Sequence, residues 1–206
     1  MLKANFITAQ EAAEKIQDGS TLCTIGMTLV SASESILKAI EKRFETVGHP
    51  ADITLVHSCG QSDRKDGIQH LAHEGLVKRI IGSHWGLQPR WMEMIANSQV
   101  EAYCLPQGQI AQLYRSMACG LPGKMSKVGL GTFIDPRVEG GKMNDRTKPL
   151  PDIVDILEYS GEEYMFYKEI PLDTVLIRGT VCDEMGKSYD NRRGNETGST
   201  SSSSGS

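Results

Sequence analysis

Residues 100–117 read VEAYCLPQGQIAQLYRSM, in which a short apolar run is followed at once by a turn and an amphipathic stretch. This pattern predicts a strand, a tight connection and a helix, the repeating unit of an open α/β sheet. Ligands bind such sheets at the carboxyl ends of the strands, and Gln107 stands at that point. Its amide can donate and accept hydrogen bonds, so we expect Gln107 to orient a ligand. The tetrad 105–108 alone also fits a plain turn with a solvated glutamine.

The same unit recurs towards the amino terminus. Thr8-Ala9-Gln10-Glu11 has the spacing of a capping box and predicts the start of a first helix. The predicted strands are 21–25, 53–57, 79–81 and 100–104. Apolar positions that predict helices are Ile36, Leu37, Ile40 and Phe44, then Ile68, Leu71, Ala72, Gly75 and Leu76, then Trp91, Met94 and Ile95 after Pro89. The alternation predicts an α/β fold with an open, mostly parallel sheet and helices on both of its faces.

The pattern changes towards the carboxyl terminus. Residues 153–157 and 164–168 flank a Ser-Gly pair and predict a β-hairpin, and residues 174–177 predict a late, buried strand. From Lys187 onward, Ser, Gly and Thr replace almost all apolar residues, which predicts disorder. We therefore expect one α/β domain over residues 1–186 and a disordered Ser/Gly-rich tail over residues 187–206.

Composition excludes several classes of protein. The chain has 206 residues and a net charge of −4, which offers no basic surface for nucleic acid or for a membrane. It shows no signal peptide and no apolar run long enough to span a bilayer, so we expect a cytoplasmic protein. Five scattered cysteines without a C-x-x-C pair predict reduced thiols, with Cys23 and Cys104 as buried small apolar residues.

Loops that follow two further predicted strands are expected to lie near Gln107. They are Gly26-Met27-Thr28 and Ser58-Cys59-Gly60-Gln61. Because the carboxyl ends of parallel strands meet at one edge of a sheet, we expect these loops and Gln107 to share that edge. Their backbone N–H groups would then converge on a carboxylate or thioester oxygen.

Three other motifs have weaker functional interpretations. A metal site is suggested by His70, His73, Glu74 and His84, but no spacing completes a zinc ligand set, so we favour a helix-face or site-rim role and predict no metal. Gly129-Leu130-Gly131-Thr132 lacks the residues that complete a phosphate-binding loop. A solvated, salt-bridged loop is predicted for Asp135, Arg137, Glu139, Asp145 and Arg146, since nothing fixes two carboxylates at a working distance.

Five sequence blocks, taken together, resemble family I coenzyme A transferases. The blocks are His70–Arg79, His84–Gly86, Leu105–Gly108, Val128–Arg137 and Glu139–Asn144. The resemblance is strongest to the propionate and acetate/acetoacetate CoA-transferase branch, and it runs from about Ile7 to about Gly186. It implies that the chain is the amino-terminal, alpha-type domain of a pair of similar α/β domains, incomplete at its carboxyl end.

The resemblance also implies an activity. Enzymes of this family move CoA from an acyl-CoA to a short-chain carboxylate through a glutamyl-CoA thioester on a glutamate of the second domain. CoA is then a substrate and not a permanently bound cofactor, and the partners are a beta-type subunit or further copies of the chain. Gln107 is expected to face the substrate, with Gly26 as the next wall. The expected substrate-binding set is Gln107, Gly26, Met27, Gly60 and Gly108.

The chain departs from the family pattern at several positions. Gly26-Met27 replaces a Gly-Phe-type turn, a frequent proline near Ser33 is missing, and Pro149 and Pro151 interrupt the approach to the hairpin, so the acyl pocket should differ in shape. The resemblance ends near Gly186, before the glutamate-bearing half. We therefore expect no catalytic nucleophile in this chain and no CoA transfer by it alone. A non-catalytic carboxylate- or acyl-CoA-binding domain, an incomplete fragment and a sugar-phosphate isomerase are the alternatives.

Overall fold

The computed structural model describes residues 4–189, and a five-stranded parallel sheet forms its centre. The strands are β1 Thr21–Thr24, β2 Ile53–His57, β3 Val77–Gly82, β4 Glu101–Cys104, β5 Gly123–Ser126, β6 Val154–Tyr159, β7 Glu162–Lys168, β8 Thr174–Leu176, β9 Val181–Cys182 and β10 Ser188–Tyr189. The helices are α1 Ala9–Glu14, α2 Glu34–Val47, α3 Pro89–Ala96 and α4 Gln107–Ala118, with a 3₁₀ helix at Gly67–Leu71. The central order is β4-β3-β2-β1-β8, which confirms the predicted fold class.

Successive residues of each central strand pack on opposite faces of this sheet. The core beneath α1, α2 and α3 contains Leu22, Leu55, Ile80 and Ala102. The core on the other face, shared with α4, contains Cys23, Val56, Ile81 and Tyr103. A parallel sheet covered on both faces needs apolar residues at consecutive positions, which is why its strands read as apolar runs. Burying each larger aliphatic side chain stabilises the fold by roughly 1.5–3 kcal/mol.

The predicted hairpin lies in a second, antiparallel sheet with the order β5-β7-β6. Its two-residue turn is Ser160-Gly161, with φ of 55° and 77°. Positive φ at both positions matches the right-handed twist of the flanking strands, and glycine adopts it without steric cost. Val154, Met165 and Tyr167 of this sheet are buried in the same core as α4. The antiparallel sheet therefore covers part of one face of the central sheet.

Two sequence-based expectations are wrong. The apolar positions between Ile68 and Leu76 do not form an α-helix, because Gly67 and Gly75 take left-handed φ values of 78° and 87° and confine the segment to one short 3₁₀ helix. The last central strand, β8, is not buried throughout, because it is an edge strand and Val175 is 44% exposed. Of the predicted tail, residues 190–206 lie outside the described residues, while β10 pairs with β9.

Two other expectations concern the state of the cysteines and the presence of a membrane-spanning helix. All five cysteines have free thiols, and Cys23 is buried whereas Cys104 is only partly buried. Within residues 4–189, no helix combines the length and the apolar character that crossing a membrane requires.

Candidate functional site

The loops that follow β1 and β2 form one continuous surface at the carboxyl edge of the sheet. The Thr28 N–H donates to the Gly60 carbonyl at 2.8 Å and joins the two loops. Met27 and Val30 exchange backbone hydrogen bonds of 3.0 and 2.8 Å, so the first loop folds back on itself. A Cβ on Gly26 would lie 2.9 Å from the Val30 carbonyl oxygen, which leaves room only for glycine. The structure thus places Gly26, Met27 and Gly60 side by side.

A buried histidine at the end of β2 packs beneath the loop 58–61 and hydrogen-bonds to it. His57 is fully buried; its Nδ1 lies 2.8 Å from the Cys59 carbonyl, and the Trp85 indole N–H lies 3.1 Å from its Nε2. These partners fix a neutral imidazole that donates from Nδ1 and accepts at Nε2. Burial lowers the pKa of His57 to about 4, so the ring stays uncharged at neutral pH. Gly82 has no space for a Cβ because the His57 ring lies against it.

The loop after β3 packs against Gly60 and leaves no space for a larger side chain at that position. A Cβ on Gly60 would lie 2.8 Å from His84 Nδ1 and 2.9 Å from Gln88 Nε2. The Ser83 hydroxyl donates to the Ser58 carbonyl, which ties this loop to the neighbouring one. Three successive strand ends are therefore linked by direct contacts, and the backbone of Gly60 is held among them. His84 lies at this edge.

Gln107 lies at the end of β4 on the same edge. The Leu105 N–H donates to the Gly82 carbonyl at 2.9 Å and extends the strand ladder up to Pro106, after which Gln107 is the first residue of α4. Its side chain is exposed and has no hydrogen-bond partner within residues 4–189. A Cβ on Gly108 would meet no atom within 4 Å. The first turn of α4 thus presents a free amide and an open backbone to solvent.

Gln107 and the Gly26–Gly60 surface follow strands that are not adjacent in the sheet. With neighbouring strands about 4.8 Å apart, the ends of β4 and β2 lie roughly 10 Å from each other, because β3 stands between them. The predicted substrate-binding residues therefore form two groups on one edge. A ligand that contacts both groups must extend across the end of β3.

A cavity of about 300 Å³ next to Pro106 is lined in part by the Gly129–Thr132 loop, for which the sequence predicted no function. Its lining residues are Ser83, Cys104, Leu105, Pro106, Val128, Gly129, Thr132, Phe133 and Ile134. The Tyr167 hydroxyl donates to the Val128 carbonyl at 2.6 Å, and a Cβ on Gly129 would lie 2.6 Å from that hydroxyl oxygen. The Gly129–Thr132 loop thus lines this cavity, and its position within the block 128–137 that resembles the family could have indicated a role for it.

Asp135 fixes the far end of this loop. Its carboxylate accepts from the Gly131 N–H at 2.9 Å and from Arg137 at 2.8 and 3.0 Å, and Arg137 also donates to Glu163. The Arg137 hydrogen bonds hold the pKa of the Asp135 carboxyl well below its usual range. Asp135 is only 1% exposed, so the expectation of a solvated side chain is wrong for this residue. A carboxylate this strongly paired is a structural anchor and a poor general base.

His70 and His73 belong to a different place in the fold. Both imidazoles face glutamates of α2, whereas Glu74 is exposed to solvent. Among the described residues, the loops 26–33, 58–61, 83–88, 105–108 and 128–134 carry no glutamate. The edge therefore offers hydrogen-bond donors and backbone surface, and no carboxylate nucleophile stands in these loops.

Comparison with known proteins gives a consistent result. The family model for coenzyme A transferase matches residues 6–195. The chain is 43% identical over 184 residues to caffeate CoA-transferase of Acetobacterium woodii, and the aligned segment covers 89% of this chain and 35% of that protein. It is 30% identical over 123 residues to the alpha subunit of acetoacetyl-CoA:acetate/butyrate CoA transferase of Clostridium acetobutylicum, covering 60% of this chain and 49% of the subunit.

Solved structures of the acyl-CoA transferase YdiF of Escherichia coli O157:H7 match the same region. The apoenzyme has a TM-score of 0.87 at 34% identity and covers 92% of this chain and 37% of that chain. The thioester complex with CoA has a TM-score of 0.80 at 36% identity, covering 86% and 35%. The chain therefore spans about a third of the length of these full-length relatives.

Proposed function

The chain belongs to the coenzyme A transferase family, and from this premise we propose that it is the substrate-orienting, amino-terminal half of an enzyme that moves CoA between a short-chain acyl-CoA and a carboxylate. The observation that carries the proposal is the Thr28–Gly60 hydrogen bond, which joins two glycine loops into one surface at the carboxyl edge. Gly26 has no room for a side chain and is partly exposed, so its backbone contributes to this surface, whereas Gly60 is buried and supports the first loop through its carbonyl. Exposed backbone at a strand end suits close approach by an acyl group or a thioester.

The roles of the polar groups follow from the chemistry. Each transfer passes through a glutamyl-CoA thioester, and negative charge develops on carbonyl oxygens as the thioester forms and breaks. The Gln107 amide, free of other partners in the described chain, donates to an oxygen of the carboxylate or thioester. The Gly129–Thr132 loop and Pro106 supply the apolar wall beside it. Met27, 58% exposed, contributes to the acyl pocket next to Gly26.

The nucleophilic glutamate belongs to a second half in this proposal. The five edge loops contain no glutamate, and the chain corresponds to about a third of its full-length relatives. One relative is itself an alpha subunit, which favours a beta-type chain as the partner. The chain is thus inactive alone, and its working form is a complex in the cytoplasm, with CoA as a substrate.

Reconstitution tests this proposal. The chain is co-expressed with the part of YdiF that follows the matched segment, and exchange of CoA between acetyl-CoA and propionate is measured for the complex and for each part. We expect exchange only in the complex. Turnover by this chain alone contradicts the assignment of the nucleophile to a second half. A stable, well-folded complex without exchange, combined with thermal stabilisation of the chain by CoA esters, favours the non-catalytic binding domain instead.

A further inference from the structure

A group of charged side chains joins α2 to the segment that contains the 3₁₀ helix, away from the glycine loops. Glu34 Oε1 lies 2.8 Å from His70 Nε2, and Asp66 Oδ1 lies 3.4 Å from the same nitrogen. His70 is mostly enclosed, with 12% of its side chain exposed, and Glu34 and Asp66 are about 30% exposed. The three donor atoms thus meet at a partly buried point that still opens to solvent.

The spacing of these atoms approaches that of a metal site. Two ligands bound to one zinc ion at about 2.0–2.1 Å with tetrahedral angles lie roughly 3.3 Å apart. Asp66 and His70 are already at 3.4 Å, and Glu34 and His70 need to separate by about half an ångström to reach that spacing. All three donor atoms lie within 4.8 Å of one another. The two distances to His70 are therefore within about half an ångström of this spacing.

The surroundings also match what a metal-bound histidine requires. His70 Nδ1 lies within hydrogen-bond distance of Glu41 Oε2, so Nδ1–H can donate to that carboxylate while a bound ion takes the place of the proton through which Nε2 donates to Glu34. A carboxylate behind a ligating imidazole fixes its tautomer and raises its basicity. The Gly67 N–H donates to Glu34 Oε2 at 2.9 Å and orients that carboxylate in the same way.

A positive charge already occupies the outer side of this group. Lys38 Nζ lies 3.0 Å from Glu34 Oε1 and 3.4 Å from Asp66 Oδ1, and its side chain is 53% exposed. We propose that Glu34, Asp66 and His70 form a binding site for a first-row divalent cation, with zinc as the best match and Lys38 as the cation that competes for it. One imidazole and two carboxylates suit zinc, whereas magnesium prefers oxygen ligands and water. The remaining coordination positions are open to water.

Calorimetric titration with zinc chloride tests the site on the full chain after treatment with a chelator. The background carries Cys119→Ser and Cys182→Ser, because these exposed thiols bind zinc independently. We expect one site per chain, at least tenfold weaker binding in Asp66→Asn and His70→Gln, and a 10–100-fold loss in Glu41→Gln. Lys38→Gln should bind about 30-fold more tightly, the effect of removing one unit charge about 4 Å from a divalent ion in bulk water.

The matched controls are His49→Gln and Asp145→Asn, which remove an exposed histidine and an exposed carboxylate outside the group, and both should bind zinc like the background protein. Circular dichroism verifies that each variant folds. If His70→Gln does not fold, the test still rests on Lys38→Gln and Asp66→Asn. Absence of zinc binding in both the background protein and Lys38→Gln overturns the proposal. Binding that survives Asp66→Asn and is lost in His73→Gln also overturns it, because the ion then sits in the neighbouring group of Glu41, Glu45 and His73.

Discussion

Acidification is expected to weaken the folded chain through the buried imidazole of His57. Burial lowers the pKa of this ring to about 4 in the folded chain, against about 6.5 for an ordinary histidine. Between these two values the unfolded chain binds a proton that the folded chain rejects, so stability falls as the pH falls through this window. The stabilisation is fully present above pH 6.5. The pKa difference of roughly 2.5 units corresponds to about 3 kcal/mol, most of it lost by pH 4.5.

The assay is urea unfolding of the wild type and His57→Asn at several pH values between 7.5 and 4.5. The asparagine variant should be less stable at pH 7, because it loses buried packing and the hydrogen bond from Trp85. Its decline on acidification should be smaller than that of the wild type by about 2–3 kcal/mol, because the group that titrates is gone. Gln112→Ala, which changes an exposed side chain that does not titrate, serves as the control and should keep the wild-type pH dependence.

Equal pH dependence in the wild type and His57→Asn would refute the reasoning, since the buried ring would then contribute no proton linkage. If His57→Asn does not fold, Trp85→Phe provides a second test. That change removes the donor to Nε2 and makes the nitrogen easier to protonate, so the acid-induced loss of stability should be smaller and should level off at a higher pH. An unchanged loss in Trp85→Phe would count against the proposed hydrogen-bond arrangement.

Two further predictions concern the edge of the sheet. Gly60→Ala should lower the free energy of unfolding by about 1–3 kcal/mol, because the new Cβ falls 2.8 Å from His84 Nδ1. Gly108→Ala should leave the free energy of unfolding unchanged or raise it by up to about 1 kcal/mol. Thermal unfolding of both variants measures this contrast, and equal losses of stability would contradict it. Gln107→Ala should keep wild-type stability within about 0.5 kcal/mol and lower kcat/KM of the reconstituted complex by roughly 100-fold, with Gln112→Ala on α4 as the control; full activity of Gln107→Ala would remove the amide from the proposed site.

Local sequence patterns were sufficient to predict the central sheet. Apolar runs such as Ile53–His57 are required because neighbouring residues of one strand enter two different cores. The capping box at Thr8 is present in the structure, with the Thr8 hydroxyl accepting from the Glu11 N–H and the Glu11 carboxylate accepting from the Thr8 N–H. These features depend on residues close together in the chain, which is why spacing alone identifies them.

Features that depend on distant residues were not accessible in this way. The apolar spacing from Ile68 to Leu76 is the same in a helix and in the observed turn, and the left-handed glycines on either side decide between them. The Asp135–Arg137 pair is local and belongs to the predicted salt-bridged loop, but the burial of Asp135 depends on packing that residue spacing does not indicate. His70 likewise meets Glu34, 36 residues earlier in the chain, only through the packing of α2.

The glycines of the carboxyl edge have different physical reasons. Gly26 and Gly60 are crowded by backbone and side chains of this chain, so the fold itself excludes any larger residue. Gly108 has open space and lies in the first turn of α4, where alanine would be the better helix former. Nothing among the described residues requires a glycine at position 108.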